Sequence, residues 1–271
     1  MTTWQADFYK YPSSNTEQNI DWELLVCDEK GKIIIQENCL QSHVNSAWLV
    51  NQLLPLITKE NPEKIQVFRP QSLNLLTLAS KELDIPIEAT RQTLALKKIL
   101  TQRHPDWQNS LKLDQPPPLP LPENLWGEQW RFATLPAGDI VDFFRDRPIP
   151  YLQLPEALWP INLGIASNRP ISGIIIYGGK QSRYLAQWLE FINPVSLNYI
   201  PTDIEQAGGL ILESGLSDRW VLLTFKDRET AINAKTFETR KKESQNLHFL
   251  LVQPDDSGMT YTGFWLLQNE S

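Results

Sequence analysis

Between residues 115 and 122 the chain reads QPPPLPLP, five prolines in eight residues. Each proline fixes φ and removes a backbone N–H, so this tract can join neither a helix nor the middle of a sheet and is expected to run as an extended polyproline segment. The composition shifts across it. The tract predicts an N-terminal domain over 1–112, a proline-rich linker over 113–125 and a C-terminal domain over 126–271. With 271 residues, 41% of them hydrophobic, the chain holds enough apolar material for two cores of average size.

Before the tract, DWELLVCDEKGKIIIQENC sets apolar runs on either side of the turn-forming DEKG, as in a β-hairpin. NSAWLVNQLLPLITKE is apolar at helical spacing, and Pro55 is expected to kink or end that helix. IQVFRP reads as a short buried strand, SLNLLTLASKELD as a helix capped by Ser72, IPIEAT as an extended piece and TRQTLALKKILTQR as another helix. A hairpin edge followed by alternating helices and parallel strands is an α/β arrangement with a mixed sheet, and by analogy its order also fits an RNase H-like sheet. Beyond the tract, SGIIIYGG, VSLNYIP, LILES, RWVLLTF, LHFLLVQ and TYTGFWLLQ read as strands, with SRYLAQWLEFIN and the polar DRETAINAKTFETRKKESQ as helices. The fold class is therefore two α/β domains with mixed sheets.

Several chemistries lose their footing in the spacing. IIIYGGKQS sits between a strand and a helix but lacks the Gly-x-x-x-x-Gly-Lys-Ser/Thr pattern of a phosphate loop, so Gly178 and Gly179 read as a tight turn. Histidines 43, 104 and 248 show no metal spacing, and Cys27 and Cys39 are expected as two buried thiols of a reducing compartment. Asp139, Asp142 and Asp146 recur at helical spacing, but Arg145 and Arg147 beside them make solvated surface acids the simpler reading. No cofactor, metal or catalytic constellation is indicated, and the expectation is a protein without enzymatic activity. The enzyme alternative that remains is an RNase H-like nuclease using Asp28 with magnesium.

The formal net charge is −7, with 12 basic against 14 acidic residues in 1–115 and 13 against 18 in 116–271. Neither half can coat nucleic acid through a global field, so DNA is not expected as a partner and any RNA contact must be local. No stretch approaches the ~18 apolar residues that span a bilayer. The first residues, MTTWQADFYKYP, carry no signal or transit pattern, so a cytoplasmic protein without membrane insertion is expected.

One segment departs from the acidic background. Arg91, Lys97, Lys98 and Arg103 occur with no acid between Glu88 and Asp106. On a helix, steps of ~100° place Arg91, Lys97 and Lys98 opposite Leu96, Ile99 and Leu100, a basic ridge that could meet phosphates or simply be solvated. Arg240 to Lys242 and the Phe143-Phe144-Arg145 group add charge and rings of the kind that hold single-stranded RNA.

DWELLVCDEKGKI, VFRPQSLNLL, RQTLALKKIL, LPENLWGEQWRFATLPAG, LHFLLVQ and the terminal GFWLL together resemble the Tab-two-like family of cyanobacteria, algae and plants, from Trp22 to Leu267. Its chloroplast members are RNA-binding factors needed for translation of the messenger for a core protein of photosystem I. The resemblance implies a cyanobacterial-type protein that binds a single-stranded mRNA leader and supports photosystem synthesis; the alternative is a scaffold contacting translation or photosystem assembly proteins. Family-shared patches fall on Arg69, Pro70, Trp126, Gly127, Trp130 and the trio Trp265, Leu266 and Leu267. Trp126 and Trp130, at helix-like spacing, could pin the linker to the second domain. The trio could be core packing or an RNA or partner contact, since burial alone offers ~1.5 to 3 kcal/mol per side chain. The expected RNA-binding residues are thus Arg69, Arg91, Lys97, Lys98, Arg103, Trp265, Leu266 and Leu267.

Overall fold

Residues 2–10, 21–105, 115–201 and 207–269 are described by the computed structural model. The chain divides into two units, Met1–Asp114 and Gln115–Ser271. Each is an α/β assembly, as the order of strand and helix patterns requires.

The N-terminal unit runs β1 (Thr3–Lys10), β2 (Asp21–Asp28), β3 (Ile33–Leu40), α1 (Ser46–Glu60), β4 (Lys64–Val67), α2 (Pro70–Leu83), β5 (Ile87–Ala89) and α3 (Leu94–Arg103). Its sheet has the order β3-β2-β1-β4-β5, with β1 to β3 antiparallel and β4 and β5 added in parallel. This is the hairpin edge with parallel additions anticipated for an RNase H-like sheet. The hairpin turns where DEKG predicts: Asp28 Oδ1 accepts from the backbone N–H of Lys30 at 3.0 Å and Lys32 at 2.8 Å, and Gly31 takes φ 83°. That turn occupies the Asp28 carboxylate, and among the described residues no three His, Cys, Asp or Glu side chains gather to hold a metal ion.

Strand alternation sends Trp4, Ala6 and Phe8 into an apolar core with Leu49, Leu53 and Ile57 of α1 and Leu76, Ala79 and Leu83 of α2. Pro55 does not end α1. It and Asn51 are exposed, so water can take the carbonyl that loses its helical donor. Cys27 and Cys39 are buried free thiols.

The C-terminal unit contains β6 (Leu119–Pro120), β7 (Gln129–Pro136), α4 (Ala137–Phe144), β8 (Tyr151–Gln153), β9 (Pro170–Tyr177), α5 (Ser182–Ile192), β10 (Pro194–Pro201), β11 (Gly208–Ser214), β12 (Asp218–Phe225), α6 (Arg228–Glu243), β13 (Leu247–Gln253) and β14 (Gly263–Gln268). These form two sheets, β10-β11-β12-β6 and β7-β9-β13-β14-β8. The proline tract is not a free spacer. Leu119 and Pro120 pair in parallel with Trp220 and Val221 at a sheet edge, where missing donors are tolerated, and Leu121 and Leu125 enter the core. Residues 113 and 114 of the expected linker lie outside the described residues.

A buried polar staple joins the two sheets of this unit. The Leu197 N–H donates to His248 Nε2 at 2.8 Å, while His248 Nδ1 lies 2.8 Å from the Asn246 carbonyl, which assigns the proton to Nδ1. Lys241 Nζ donates to the Leu197 carbonyl at 2.7 Å, Asn198 Oδ1 at 2.9 Å and Glu238 Oε1 at 2.7 Å. Burial, with Lys241 close by, pushes the His248 pKa down to about 3.

The terminal GFWLL is the interior strand β14, flanked by β13 and β8. Trp265 and Leu267 are fully buried and Leu266 is 1% exposed. Phe264 stacks on Phe144 at 3.8 Å between centroids. Gly263 lies on the Trp265 side of the strand, and a Cβ there would collide with the indole. The contact-surface reading of Trp265, Leu266 and Leu267 is corrected accordingly: all three seal the core, and strand pairing on both sides ties the terminus down.

Candidate nucleic-acid interface

The basic ridge expected on the N-terminal unit is largely absent from its surface. Gln5, Asp7 and Tyr9 alternate with the apolar residues of β1 and form a buried polar layer on its other side. Asp7 is fully buried and receives Arg69 Nε at 3.1 and 3.0 Å, Arg69 Nη2 at 3.0 Å and the Ser72 hydroxyl at 2.6 Å. Burial pushes its carboxyl above the usual range, with Arg69 and Ser72 pulling against that shift. Glu23, also buried, takes Arg103 Nη2 at 2.7 Å and the Tyr9 hydroxyl. Gln5 accepts from the Leu96 N–H at 3.0 Å and so caps the first turn of α3, which has no cap of its own.

Four of the five basic residues expected to meet RNA, Arg69, Arg91, Lys97 and Arg103, therefore have a structural position. Arg91 precedes α3 instead of lying on it and is 6% exposed. Lys97 donates to the Arg91 carbonyl at 3.0 Å and lies 4.7 Å from the centre of the Phe68 ring. Arg69 and Arg103 are held by carboxylates beneath them. Lys98 alone of the five is exposed. A helix starting at Leu94 instead of Thr90 removes Arg91 from the supposed face, and buried acids from β1 and β2 take up two of the remaining cations.

The other singled-out groups also divide. Phe144 is buried, and the exposed Phe143 ring is covered by the Arg147 guanidinium at 3.9 Å. Lys241 is buried in the sheet staple, whereas Arg240 reaches the surface. Trp126 and Trp130 are not on a helix: Trp126 follows a 3₁₀ turn over Glu123–Leu125, and Trp130 lies on β7.

Arg240 and Trp130 meet in a groove of about 350 Å³ between α6 and β7. Five consecutive residues of β7, Trp130 to Thr134, line it. Side chains on a strand alternate faces, so a run of neighbours marks a groove along the strand's edge, and β7 is the outermost strand of its sheet. From α6 the groove receives Thr230, Asn233, Thr236, Phe237 and Arg240. Arg240 Nη1 donates to Thr134 Oγ1 at 3.0 Å and Arg131 Nε to the Tyr177 hydroxyl at 2.7 Å. Both guanidinium groups are thereby oriented while further N–H donors remain. Trp130 meets Phe132 edge-on at 5.5 Å and 82°. Rings, the oriented guanidinium of Arg240 and a row of hydroxyl and amide groups are what a single strand of nucleic acid requires, while Arg131 is turned to Tyr177 on the alternate face of β7.

Sequence reasoning found Trp130 and Arg240 separately and missed Arg131, Phe132 and the Thr230, Asn233, Thr236 row. The signal available was small polar residues three apart on an otherwise charged helix.

Comparison with known proteins follows the same two units. The description "RNA-binding protein Tab2/Atab2 N terminal" matches residues 3–103, and "RNA-binding protein Tab2/Atab2, C-terminal domain" matches residues 108–268. The chain is 31% identical over 282 residues to "Protein TAB2 homolog, chloroplastic" of Arabidopsis thaliana, covering 97% of this chain and 74% of that protein. It is 26% identical over 280 residues to the protein of the same name from Zea mays, covering 97% of this chain and 70% of that one. With both domain descriptions matched in order across nearly its whole length, the chain belongs to the Tab2/Atab2 family of RNA-binding proteins.

Proposed function

We propose that this protein binds the single-stranded leader of a photosystem messenger and supports its translation, with RNA lying in the groove between α6 and β7. The observation that carries this reading is the convergence of Trp130, Phe132 and Arg240 with the polar row of α6 beside one edge strand of an otherwise acidic protein. An aromatic face offers ~1 to 3 kcal/mol per stacked base, independent of sequence. Lys235 and Arg240 continue the cationic side into an adjoining hollow along α6. The chloroplast relatives and the family's RNA-binding description support the RNA half of the proposal; the photosystem half rests on the family resemblance.

Few phosphates can be neutralised by so small a cationic surface, so the salt dependence is shallow, at about −0.7 in log K per log salt for each phosphate. Filter binding of photosystem leader RNAs at low salt tests the reading. Retention that weakens in Arg240→Ala and Asn233→Asp, with thermal unfolding unchanged, is the expected result. No retention of any leader RNA removes the proposal, and retention indifferent to both variants removes the groove.

A further inference from the structure

Another strand edge of the C-terminal unit faces a groove of opposite character. β6 pairs with β12 at two positions only, Leu119 with Trp220 and Pro120 with Val221. The tract then turns inward, and β12 continues to Phe225 with no described strand on that side. A groove of about 350 Å³ follows this stretch, lined by the four consecutive residues Val221 to Thr224. As with β7, consecutive lining marks an edge, where alternate backbone N–H and C=O groups lack a neighbouring strand.

The facing wall is the LWGEQW segment. Trp126 is 61% exposed, yet its Nε1 donates to the Leu121 carbonyl at 3.1 Å, so a large apolar ring is held at the mouth instead of folding inward. Gly127 allows the segment to press on the sheet, since a Cβ there would stand 2.5 Å from Ile176 Cγ2. The lining contains no lysine or arginine, and its single charged side chain is Glu128. Such a wall offers phosphate no cation, and the Glu128 carboxylate lies at its end against Gly179. The wall suits an extended peptide whose backbone continues the pairing begun by β6.

We infer that the β12 edge is a docking site for an extended segment of a partner protein, added as a strand beyond β6, apolar at alternate positions and carrying a basic residue opposite Glu128. The site adjoins the RNA groove, Trp130 lining both, but its argument does not depend on that reading. Its chemistry assigns a role to Trp126, Gly127 and Glu128, which the RNA groove leaves without one.

A random nonapeptide library selected on the full-length protein, followed by binding titrations with the enriched peptides, provides the test. Alternating apolar peptides with a Lys or Arg are expected. Trp126→Ala or Glu128→Lys should weaken them by about tenfold or more, a loss of the size expected for an anchor residue. N-methylation of alternate peptide amides should do the same, while methylation of the intervening amides and the Arg240→Ala substitution leave binding unchanged. Trp126 is exposed, so unchanged thermal unfolding of the variant separates lost docking from lost folding, and Glu128→Lys serves as a second, independent variant. Enrichment of no alternating sequence, or binding indifferent to N-methylation or to both variants, overturns the inference. Displacement of the peptide by leader RNA on wild-type protein, with RNA binding lost in Trp126→Ala, would assign the groove to RNA.

Discussion

Arg69→Ala separates the two roles this residue could have. As a phosphate contact, its loss would leave stability intact, weaken RNA binding and reduce the salt slope by ~0.7. The structure gives a different outcome. Asp7 is fully buried, and Arg69 supplies both Nε and Nη2 to it at 3.0 to 3.1 Å. Removing one partner of a buried pair strands the other charge and costs about 3–5 kcal/mol. For a unit of this size each kcal/mol moves the midpoint by roughly 4 °C, so the N-terminal transition should fall by about 12–20 °C. Asp7→Asn combined with Arg69→Ala should recover part of the loss, because neither member is then charged, and the cycle of wild type, the two single variants and the double should give a coupling above about 1 kcal/mol. The pH dependence has a definite sign. Burial already raises the Asp7 carboxyl above its ordinary 3.8, and without Arg69 it rises further, so the native state binds the extra proton and the deficit shrinks as pH falls. Urea titrations of the four proteins at neutral and mildly acidic pH, with leader-RNA binding measured in parallel, provide the assay. An Arg69→Ala protein within ~0.5 kcal/mol of wild type would refute the reasoning, since that is the scatter of ordinary surface substitutions.

The sheet staple predicts acid lability of the C-terminal unit. His248 has a folded pKa of about 3 against an ordinary 6.5, so the unfolded state takes up a proton as pH falls from 6.5 toward 3. Stability should drop over that window by up to ~1.4 kcal/mol per pH unit, and His248→Gln should flatten the slope in pH-dependent urea unfolding. Trp265→Ala should destabilise by about 3–5 kcal/mol through the cavity left by a fully buried indole, while RNA affinity per folded molecule stays constant in titrations corrected for folded fraction. Cys27, whose thiol burial pushes up to about 12, should resist alkylation in the native protein at neutral pH and react only as denaturant unfolds the N-terminal unit, as mass spectrometry would record.

Patterns that depend on near neighbours were legible in the sequence. The DEKG turn and the hairpin beside it rest on residues within a few positions of one another, and the structure puts a turn and a hairpin there. What the sequence concealed is tertiary pairing. Ser72 looks like a helix cap, but α2 begins at Pro70 and the Ser72 hydroxyl reaches Asp7, 65 residues earlier. Arg103 looks like one of a row of free cations, but Glu23 lies 80 residues before it and meets it at 2.7 Å. Acids spaced that far apart cancel no charge in a local window, so a basic face was read where the fold makes an internal network. The same blindness hid the groove between α6 and β7, whose two walls are about a hundred residues apart and whose polar row on α6 resembles an ordinary solvated helix.

The distribution of charge explains how an acidic protein can keep a cationic groove at all. In the N-terminal unit Arg69 and Arg103 satisfy carboxylates that would otherwise be stranded under the sheet, so their charge is spent inward. On α6, five basic residues face three acidic ones, and the ion pair of Lys241 with Glu238 removes one of each. Of the others, Arg240 reaches the open edge of β7 through Thr134, and Lys235 lines the adjoining hollow with Glu243. An uncovered strand edge is ordinarily an aggregation hazard, and cations beside it are one of the usual safeguards. If the groove beside β7 takes RNA as proposed, the safeguard and the ligand site share Arg240: a charge that discourages another strand would invite a phosphate backbone. At β12 that protection is missing, and an uncharged edge beside an exposed tryptophan is left for a peptide to cover.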